Sequence, residues 1–534
     1  MSMDQPTLTG FSTDPDATTH LPFIPQAVSP AALTNPKADI AALDELERHL
    51  FAHRYASIGI TSYGETIDPE AATADRGEAL AILEEEDHAL LCSAETGALL
   101  ERLSSASAVL TPMQAAQVRI LKRDRARLVD VPAEVQSAFT RLTNESSAAW
   151  QKAKGKGDWS AFEPYLDRIV QQSCEIARCR NPHADPYDIM LDDNEHDTSR
   201  AFYDRFFAQV KEVVVPLLAD VRASRRNQGP SPLAGRFDAS RQWELARDLI
   251  ALEGLDERKV FLTSTEHPFS DGLTSNYAII AAHVLEDDVL SNVYTMLHEG
   301  GHALYEMGVD PALNYTSLKG GTSMGMHEAQ SRFFENIVGR SAAFAPRLIE
   351  VMARRFRGQL GRVTPGQLYA AANRVVAQPI RVDADELTYP LHVIVRYEIE
   401  QLLVSGEATA ADVPKLWAER YKNYLGIDVP NDARGALQDV HWASGALGYF
   451  PTYALGNAIG AQLQAAMIAE GMDFDGVFAS GSLNPIHEWL RSRIWRYGRS
   501  RDTNELVLDA CGEPFSARYY TDYLTKKYTA LYSL

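Results

Sequence analysis

Residues 291–309 read SNVYTMLHEGGHALYEMGV, a stretch that combines a helical pattern with polar residues at a fixed spacing. His298 and His302 are four residues apart, so on a helix both side chains lie on one face and can point at a single metal ion. Glu299 is rotated by about 100° from His298 around the helix, so it can act on a water in the site without being a ligand. Gly300 and Gly301 each cost about 1 kcal/mol in a helix relative to Ala, which indicates that another backbone or a substrate passes close.

A catalytic zinc site has three protein ligands and one open position, and the segment GMHEAQSRFFEN (325–336) supplies a third candidate. Glu328 follows His302 across the glycine-rich loop LKGGTSMG (318–325), which can turn the chain back, and lies on the next predicted helix. His327 is the competing ligand. Because helix geometry allows only one of these two neighbours to face the ion, we choose the carboxylate. The expected site therefore holds one zinc ion between His298, His302 and Glu328.

The segment just before this helix breaks the helical pattern of the chain. In RKVFLTSTEHPFSDGLTSNYAIIAAH (258–283), Val260 and Leu262 alternate with Phe261 and Thr263, and the end of the segment is apolar and partly β-branched. Both features are typical of strands on a pleated surface. We predict a small sheet beside the HEGGH helix, where a peptide could bind as an added strand along an exposed edge.

The remainder of the chain predicts a mainly α-helical protein. Apolar residues recur every three to four positions in several segments, for example Leu43, Leu46 and Leu50. Residues 1–36 are rich in Pro, Thr, Asp and Ser, and we predict a flexible N-terminal arm there. The segments 152–159 and 225–237 are polar and contain Gly or Pro, so they are predicted to be loops between helices. We expect residues 37–534 to form one helical body, although the length alone suggests about three domains.

Composition excludes several classes of partner. The formal net charge of −21 argues against a nucleic acid or an anionic membrane surface, because both would repel the protein. No apolar run approaches the roughly 18 residues of a membrane span, and the N-terminus has neither the basic nor the apolar region of a secretory signal. The four cysteines are scattered, which favours a reducing cytoplasm over a disulfide framework.

Several separated motifs together resemble the carboxypeptidase Taq family of metallocarboxypeptidases. They occur in the expected order from about residue 40 to the end: PYDIMLDD (186–193), HPF (267–269), HEGGH (298–302), HEAQ (327–330), IRVDAD (380–385), ALQDVHW (436–442), GYFPTYALGN (448–457) and YLTKKYTALYSL (523–534). The resemblance implies an α-helical fold with a long substrate groove between two halves and a small sheet beside the metal. It also implies an intracellular homodimer that removes C-terminal residues with broad specificity, using zinc or sometimes cobalt. By position, Glu299 becomes the general base, with His298, His302 and Glu328 as ligands.

One stretch departs from that family pattern. The family usually carries an Asp-x-Arg-x-Thr motif shortly after HPF, and here the corresponding stretch is NYAIIA, with Tyr277, Ile279 and Ala281 in place of the Asp, Arg and Thr. An ionic element near the closed end of the groove is thus replaced by neutral side chains. We expect the metal site to be unaffected and the anchoring of the substrate to differ.

A carboxypeptidase must bind a free carboxylate, and an arginine does so bidentately. Arg381 in IRVDADELTYPLH (380–392) is our candidate; the alternative is that it pairs with Asp383 or Asp385 and only holds two helices together.

Three further polar residues lie in the motifs of the C-terminal third. Tyr453 is our candidate for stabilising the developing oxyanion, and His441 can help to orient or stabilise the site. Tyr449 is a candidate for contacting the substrate, and packing is an alternative role for both tyrosines. His267 in HPF is expected to shape the end of the groove.

The predicted function is metal-dependent removal of C-terminal residues from peptides. Two alternatives remain open from the residues alone. One is a helical zinc oligoendopeptidase that cuts inside short peptides and needs no arginine anchor. The other is a metal-free peptide-binding protein on the same scaffold, against which the complete ligand set argues.

Overall fold

A computed structural model describes residues 35–66, 72–224, 226, 231–265 and 267–534. These residues form 21 α-helices and one three-stranded sheet, so the prediction of a mainly α-helical fold with a small sheet is confirmed. The predicted N-terminal arm, 1–36, lies outside the described residues except for its last two, and the first helix begins at Pro36. No helix in the described ranges is both long and apolar enough to cross a bilayer.

Nine helices precede the sheet in the described part of the chain. They are α1 to α9: Pro36–Thr66, Thr73–Cys92, Ala94–Ser105, Pro112–Ala126, Ala133–Lys156, Glu163–Arg180, Pro186–Asn194, Arg200–Ala223 and Ala239–Glu253. The predicted loop at 152–159 is partly wrong, because α5 continues to Lys156. Gly157 follows the helix as its C-cap, and its φ of 65° is the left-handed conformation that glycine adopts at low cost.

The sheet lies where the sequence predicts it. Its strands are β1 (Val260–Ser264), β2 (Phe269–Thr274) and β3 (Tyr277–Ala282), in the order β1-β3-β2. β3 runs parallel to β1 and antiparallel to β2, so β1 and β2 are the edges. The strand residues Ala278 and Ile280 are fully buried in the main core, which fixes the sheet against the helices.

Two consecutive helices follow the sheet and carry the predicted metal ligands. They are α10 (Val289–Gly308) and α11 (Met324–Arg332). A π-helix, Phe333–Gly339, continues α11 directly. The chain closes with ten more helices, α12 to α21: Ala345–Arg355, Arg357–Leu360, Pro365–Ala372, Tyr389–Ser405, Val413–Leu425, Phe450–Ala469, Phe474–Ser480, Asn484–Arg493, Thr503–Cys511 and Arg518–Tyr532.

The hydrophobic core is divided unequally. The main cluster of buried side chains extends from Leu142 to Tyr532 and includes residues of the sheet, α10 and α11. A smaller cluster belongs to α1–α4, between Leu43 and Leu121. Ile120 of α4 then packs with Val309 and Leu318 just after α10, so the N-terminal helices contact the segment that leads to α11. The metal-site helices are therefore packed in the main core, where side chains have little freedom to move.

Candidate metal centre

The N-termini of α10 and α11 are fixed by side-chain caps. The carboxylate of Asp288 accepts hydrogen bonds from the amides of Leu290 and Ser291, both at 3.1 Å. The hydroxyl of Ser323 accepts one from the amide of Met326 at 3.0 Å. Such caps satisfy amides that have no partner inside the helix, and here they set the register of the two helices that carry the ligands.

The two glycines of HEGGH allow close packing around α10, as the sequence indicates. A Cβ atom at Gly301 would lie 2.7 Å from the carbonyl oxygen of Gln330 and from Cα of Ser331, so the backbone of α11 crosses α10 at this point. A Cβ at Gly300 would lie 1.8 Å from the buried carboxyl of Glu253, at the end of α9. At Gly301 the obstacle is backbone, so only glycine fits there, and the close crossing brings Glu328 to the two histidines.

The structure brings His298, His302 and Glu328 together. One ligand atom from each lies within 4.8 Å of the others. The Oε2 atom of Glu328 is 3.8 Å from Nε2 of His298 and 3.6 Å from Nε2 of His302. Their side chains are between 7% and 17% exposed, so the group lies in a largely buried position that is not sealed from solvent. His327, the alternative ligand, contacts Nδ1 of His302 and is not one of these three.

This donor set fits a divalent transition metal. Two imidazole nitrogens and one carboxylate oxygen are a common combination for catalytic zinc, which leaves a fourth position open. A tetrahedral ion with bonds of about 2.0 Å holds its ligand atoms roughly 3.3 Å apart, close to the separations found here. In both histidines it is Nε2 that faces Glu328, because each Nδ1 has another partner.

His298 is held in place by an ionic group on the π-helix. Its Nδ1 lies 3.0 Å from Oε2 of Glu335. The same Oε2 atom accepts a hydrogen bond from Arg332 at 2.9 Å, and Oε1 of Glu335 accepts one from Arg340 at 3.0 Å. Burial alone would raise the pKa of Glu335, but Arg332 and His298 outweigh it and hold the pKa well below its usual range. Glu335 is thus a permanent acceptor, of the kind that orients a metal-binding imidazole.

Glu299 has the environment of a general base. It is 7% exposed and follows His298 on α10. Burial raises its pKa above the ordinary value, while His298 and the neighbouring Ser270 of β2 counteract part of that effect. A carboxylate whose pKa is moved toward neutrality accepts and returns protons more effectively near neutral pH. The position next to β2 also places it beside an edge of the sheet.

A second cluster contains Arg381, which lies in the segment between α14 and α15. Its Nε and NH2 groups donate to Oδ1 of Asp439 at 3.0 and 2.9 Å, and its NH1 group donates to the hydroxyl of Tyr389 at 3.0 Å. The ion pair is thus with Asp439, not with either of the nearby acids Asp383 and Asp385. Arg396 also pairs with Asp439, at 2.6 Å. Two guanidinium groups share one carboxylate, which leaves a net positive charge.

Three other predicted residues lie in this same cluster. Nε2 of His441 is 3.1 Å from the hydroxyl of Tyr453, and the ring centroids of Tyr449 and Tyr453 are 5.3 Å apart. Arg381 lies over the Tyr453 ring, 5.0 Å from its centroid. Burial, together with the charge of Arg381, lowers the pKa of His441 to about 4, so it is neutral near pH 7.

We call His298, Glu299, His302, Glu328 and Glu335 the metal group. Two residues that the sequence did not single out join it to the Arg381 cluster. Arg332 donates from Nε to Oε1 of Glu328 at 2.7 Å, and its guanidinium lies 4.3 Å from the centroid of the Tyr389 ring. The hydroxyl of Tyr389 in turn accepts from Arg381. Arg332 could have been noticed, because it follows Glu328 by one helical turn. Tyr389 has no comparable signal, since its role depends on a contact between distant helices.

The remaining predicted positions lie in the sheet region. His267 is exposed in the connection between β1 and β2, and within the described residues its side chain forms no hydrogen bond or ion pair with the three metal-site residues. On β3, the hydroxyl of Tyr277 donates to that of Tyr55 in α1 at 2.9 Å. Ile279 and Ala281 on the same strand are buried. The altered stretch is therefore part of the sheet and contacts the N-terminal helix.

Comparisons with known proteins agree in sequence and in fold. Residues 59–528 match the model of the carboxypeptidase Taq (M32) metallopeptidase family. Carboxypeptidase 1 of Bacillus subtilis (strain 168) is 34% identical over 466 residues, which cover 87% of this chain and 93% of that protein. Thermostable carboxypeptidase 1 of Thermus thermophilus is 34% identical over 479 residues, covering 88% and 94%. The crystal structure of an M32 carboxypeptidase from Deinococcus radiodurans R1 superposes with a TM-score of 0.89, at 34% identity, over 93% of this chain and 100% of that one.

Proposed function

Because the chain belongs to the carboxypeptidase Taq (M32) family and is thus a metallocarboxypeptidase, we propose that it removes C-terminal residues from peptides with broad specificity. His298, His302 and Glu328 hold the metal, and Glu299 is the general base. The observation that carries the proposal is the convergence of two Nε2 atoms and one carboxylate oxygen within 4.8 Å. The buried carboxyl of Glu299 follows directly after the first of these histidines, His298.

Glu299 moves the proton in the proposed reaction. Its carboxylate accepts a proton from the attacking water and then delivers it to the nitrogen of the leaving amino acid. Both transfers are possible for one carboxyl because its pKa is raised by burial. When bound, a divalent cation supplies Lewis acidity to the scissile bond. We take the ion to be zinc, one per subunit, with cobalt as the alternative, since imidazole and carboxylate ligands suit both.

The Arg381 cluster is the proposed binding site for the substrate's C-terminal carboxylate. Its net positive charge attracts an anion, and three of the five N–H donors of Arg381 are used by Asp439 and Tyr389 among the described residues. Tyr453, held by His441, donates a hydrogen bond to the developing oxyanion. Tyr449 lines the same cluster, and His267 contacts the substrate from the β1–β2 connection.

Two further properties stay predictions. A homodimer is expected from the family resemblance, and a cytoplasmic location from cysteine usage. Peptides are the expected partners, with neither nucleic acid nor a membrane surface.

The test uses pairs of N-blocked peptides that differ only in a free or an amidated C-terminus, incubated with the zinc-loaded protein. Mass spectrometry should show stepwise loss of single residues from the free-acid peptide and no loss from the amide. Internal fragments from either peptide would contradict the proposal and favour an oligoendopeptidase. The Glu299→Gln protein, purified in parallel, controls for a contaminating peptidase, since its preparation should release no residue.

A further inference from the structure

The two candidate ligand histidines are oriented by different partners. Nδ1 of His298 contacts a carboxylate directly, that of Glu335. Nδ1 of His302 contacts a second imidazole instead, with 2.5 Å between it and Nδ1 of His327. The two rings are tilted by 40°, with centroids 4.6 Å apart. A ligand histidine usually donates its second ring N–H to a carboxylate, a backbone carbonyl or water, so the contact of His302 with another histidine needs an explanation.

The contact of the other ring nitrogen of His327 supplies this explanation. Nε2 of His327 is 2.9 Å from Oε1 of Glu306, which lies one helical turn after His302 on α10. Glu306 is buried in an ion pair with Lys319, and it also accepts a hydrogen bond from the amide of Gly321 at 3.1 Å. Its Oε2 faces the Lys319 ammonium, and its Oε1 faces the amide of Gly321 and the ring of His327, so the carboxylate is ionised and accepts at these contacts. Glu306 is therefore a carboxylate that can only accept.

The acceptor at this end determines where the protons are along the whole chain of contacts. Because Glu306 only accepts, the contacting Nε2 of His327 carries a hydrogen, and a neutral imidazole then has a lone pair on Nδ1. That lone pair accepts the hydrogen on Nδ1 of His302. The remaining lone pair of His302 is on Nε2, the atom that lies 3.6 Å from Glu328. This is the tautomer in which His302 can bind a metal.

We propose that His327 is a positioning residue, which relays the negative charge of Glu306 to His302 and so fixes the metal-binding tautomer and ring orientation of that ligand. The role rests on the proposed metal site, because it has a purpose only if His302 is a ligand. His327 itself does not contact the metal. The direct contact of His298 with Glu335 and the relayed contact of His302 with Glu306 are then two solutions to one requirement.

The test replaces His327 with Asn and with Leu, which have nearly the same shape but differ in polarity. Asn keeps an acceptor close to the position of Nδ1, and Leu has none. Zinc affinity is measured by competition with a chelator, so no turnover is needed. We expect His327→Leu to bind zinc about 10- to 100-fold more weakly than the wild type, and His327→Asn to bind it at least about fivefold more tightly than His327→Leu. His487→Ala, which removes a half-buried histidine next to Phe334 and Trp495, should bind zinc as the wild type does.

The outcomes separate this inference from the proposed function. If the His298→Ala variant binds zinc as tightly as the wild type does, the proposed metal site is wrong. If His298→Ala loses zinc while the Asn and Leu variants of His327 bind it within fivefold of each other, only the relay is overturned. Should neither variant fold, zinc-loaded wild-type protein labelled with 15N-histidine decides by NMR. The relay requires a hydrogen on Nδ1 of His302 and on Nε2 of His327, and a zinc-bound nitrogen in His327 would refute it.

Discussion

The metal group and the Arg381 cluster are built in different ways. The metal group comes from α10, α11 and the π-helix that continues α11, so all its members lie within residues 298–335. The Arg381 cluster combines a segment before α15, α15 itself, a turn near 439–441 and the start of α17. In the first, helical spacing places the side chains. In the second, contacts between distant segments place them.

The difference also concerns charge. Around the candidate ligands, three carboxylates (Glu299, Glu328 and Glu335) are opposed by two guanidinium groups (Arg332 and Arg340), so a negative charge remains. In the Arg381 cluster two arginines share Asp439, and a positive charge remains. The negative excess suits the binding of a cation, and the positive excess suits the binding of an anion. Four experiments test this division of labour, beginning with the one expected to have the largest effect.

Glu299→Gln should abolish the chemistry while leaving the metal in place. The variant keeps the size of the side chain but cannot accept a proton, so kcat should fall by about 10²- to 10⁴-fold. Metal analysis after dialysis should still find one equivalent per chain. The matched control is Glu350→Gln on the exposed face of α12, where the carboxylate only pairs with Arg347 and Arg354. Wild-type turnover by the Glu299 variant would remove it from the mechanism.

Gly301→Ala tests whether the crossing of α10 and α11 holds the metal group together. The new Cβ would meet backbone atoms of Gln330 and Ser331 at 2.7 Å, and backbone cannot move aside as a side-chain tip can. We expect a loss of about 1–3 kcal/mol in the free energy of unfolding, and zinc binding weakened by about tenfold or more because Glu328 is displaced. Urea unfolding and chelator competition measure the two effects.

The control for this variant lies on α17, a second helix that packs against α11. A Cβ at Gly460 of α17 would lie 3.4 Å from the carbonyl oxygen of Ala329, an ordinary contact. Gly460→Ala should leave zinc binding unchanged and gain up to about 1 kcal/mol from helix propensity. Equal zinc affinities in the two alanine variants would show that the crossing distance does not control the site.

These two regions also differ in how far the sequence predicts them. The spacing of His298 and His302, and the pair of glycines between them, predicts both the helix and its close packing, because neighbours on one helix are determined by the helical period. The small sheet follows from a break in that same period. The spacing of residues in the sequence does not predict the orientation of an imidazole ring. His327 was weighed as a ligand, and its contact with His302 depends on the packing of α11 against α10.

The Arg381 cluster was predicted by resemblance more than by pattern. Its four predicted members, Arg381, His441, Tyr449 and Tyr453, do lie together. The partner considered for Arg381 was nevertheless wrong: Asp383 and Asp385 are near in sequence, whereas Asp439 is 58 residues away. Arg396 and Tyr389 were not predicted either. Contacts of that range follow from the packing of whole helices, for which a single sequence has no local signal.

Arg381→Met tests the proposed role of the positive charge. If the cluster binds the substrate's carboxylate, losing a charged hydrogen bond should cost about 1.5–3 kcal/mol, which corresponds to a fall in kcat/KM of about 10- to 150-fold, mostly through KM. Zinc affinity should not change. The control is Arg355→Met, which breaks an ion pair with Asp248 outside both regions and should leave KM unaltered. If KM is unchanged in the Arg381 variant, this arginine only holds Asp439 in place and does not bind the substrate.

Glu195→Gln addresses the smallest effect, the support that the metal group receives from the N-terminal part of the chain. Glu195 follows α7, is 2% exposed, and accepts a hydrogen bond from the amide of Gly325 in the first turn of α11 at 3.0 Å. Burial raises its pKa to about 7, despite hydrogen bonds from Thr503 and Ser323. An acid whose pKa is higher in the folded than in the unfolded state stabilises the fold below its unfolded pKa, and this contribution is lost as the pH rises through its folded pKa.

A glutamine at position 195 cannot ionise, so the free energy of unfolding of this variant should lack this component of the pH dependence. Between pH 6 and 7.5 the wild type should lose about 1 kcal/mol more unfolding free energy than the variant, as measured by urea unfolding at several pH values. A constant difference between the two proteins across that range would mean that Glu195 is not the titrating group. A loss that follows the prediction would identify the titrating group as Glu195, which contacts the first turn of α11 although it lies more than a hundred positions before Glu328. The metal group would then share with the Arg381 cluster a dependence on distant contacts that its helical spacing conceals.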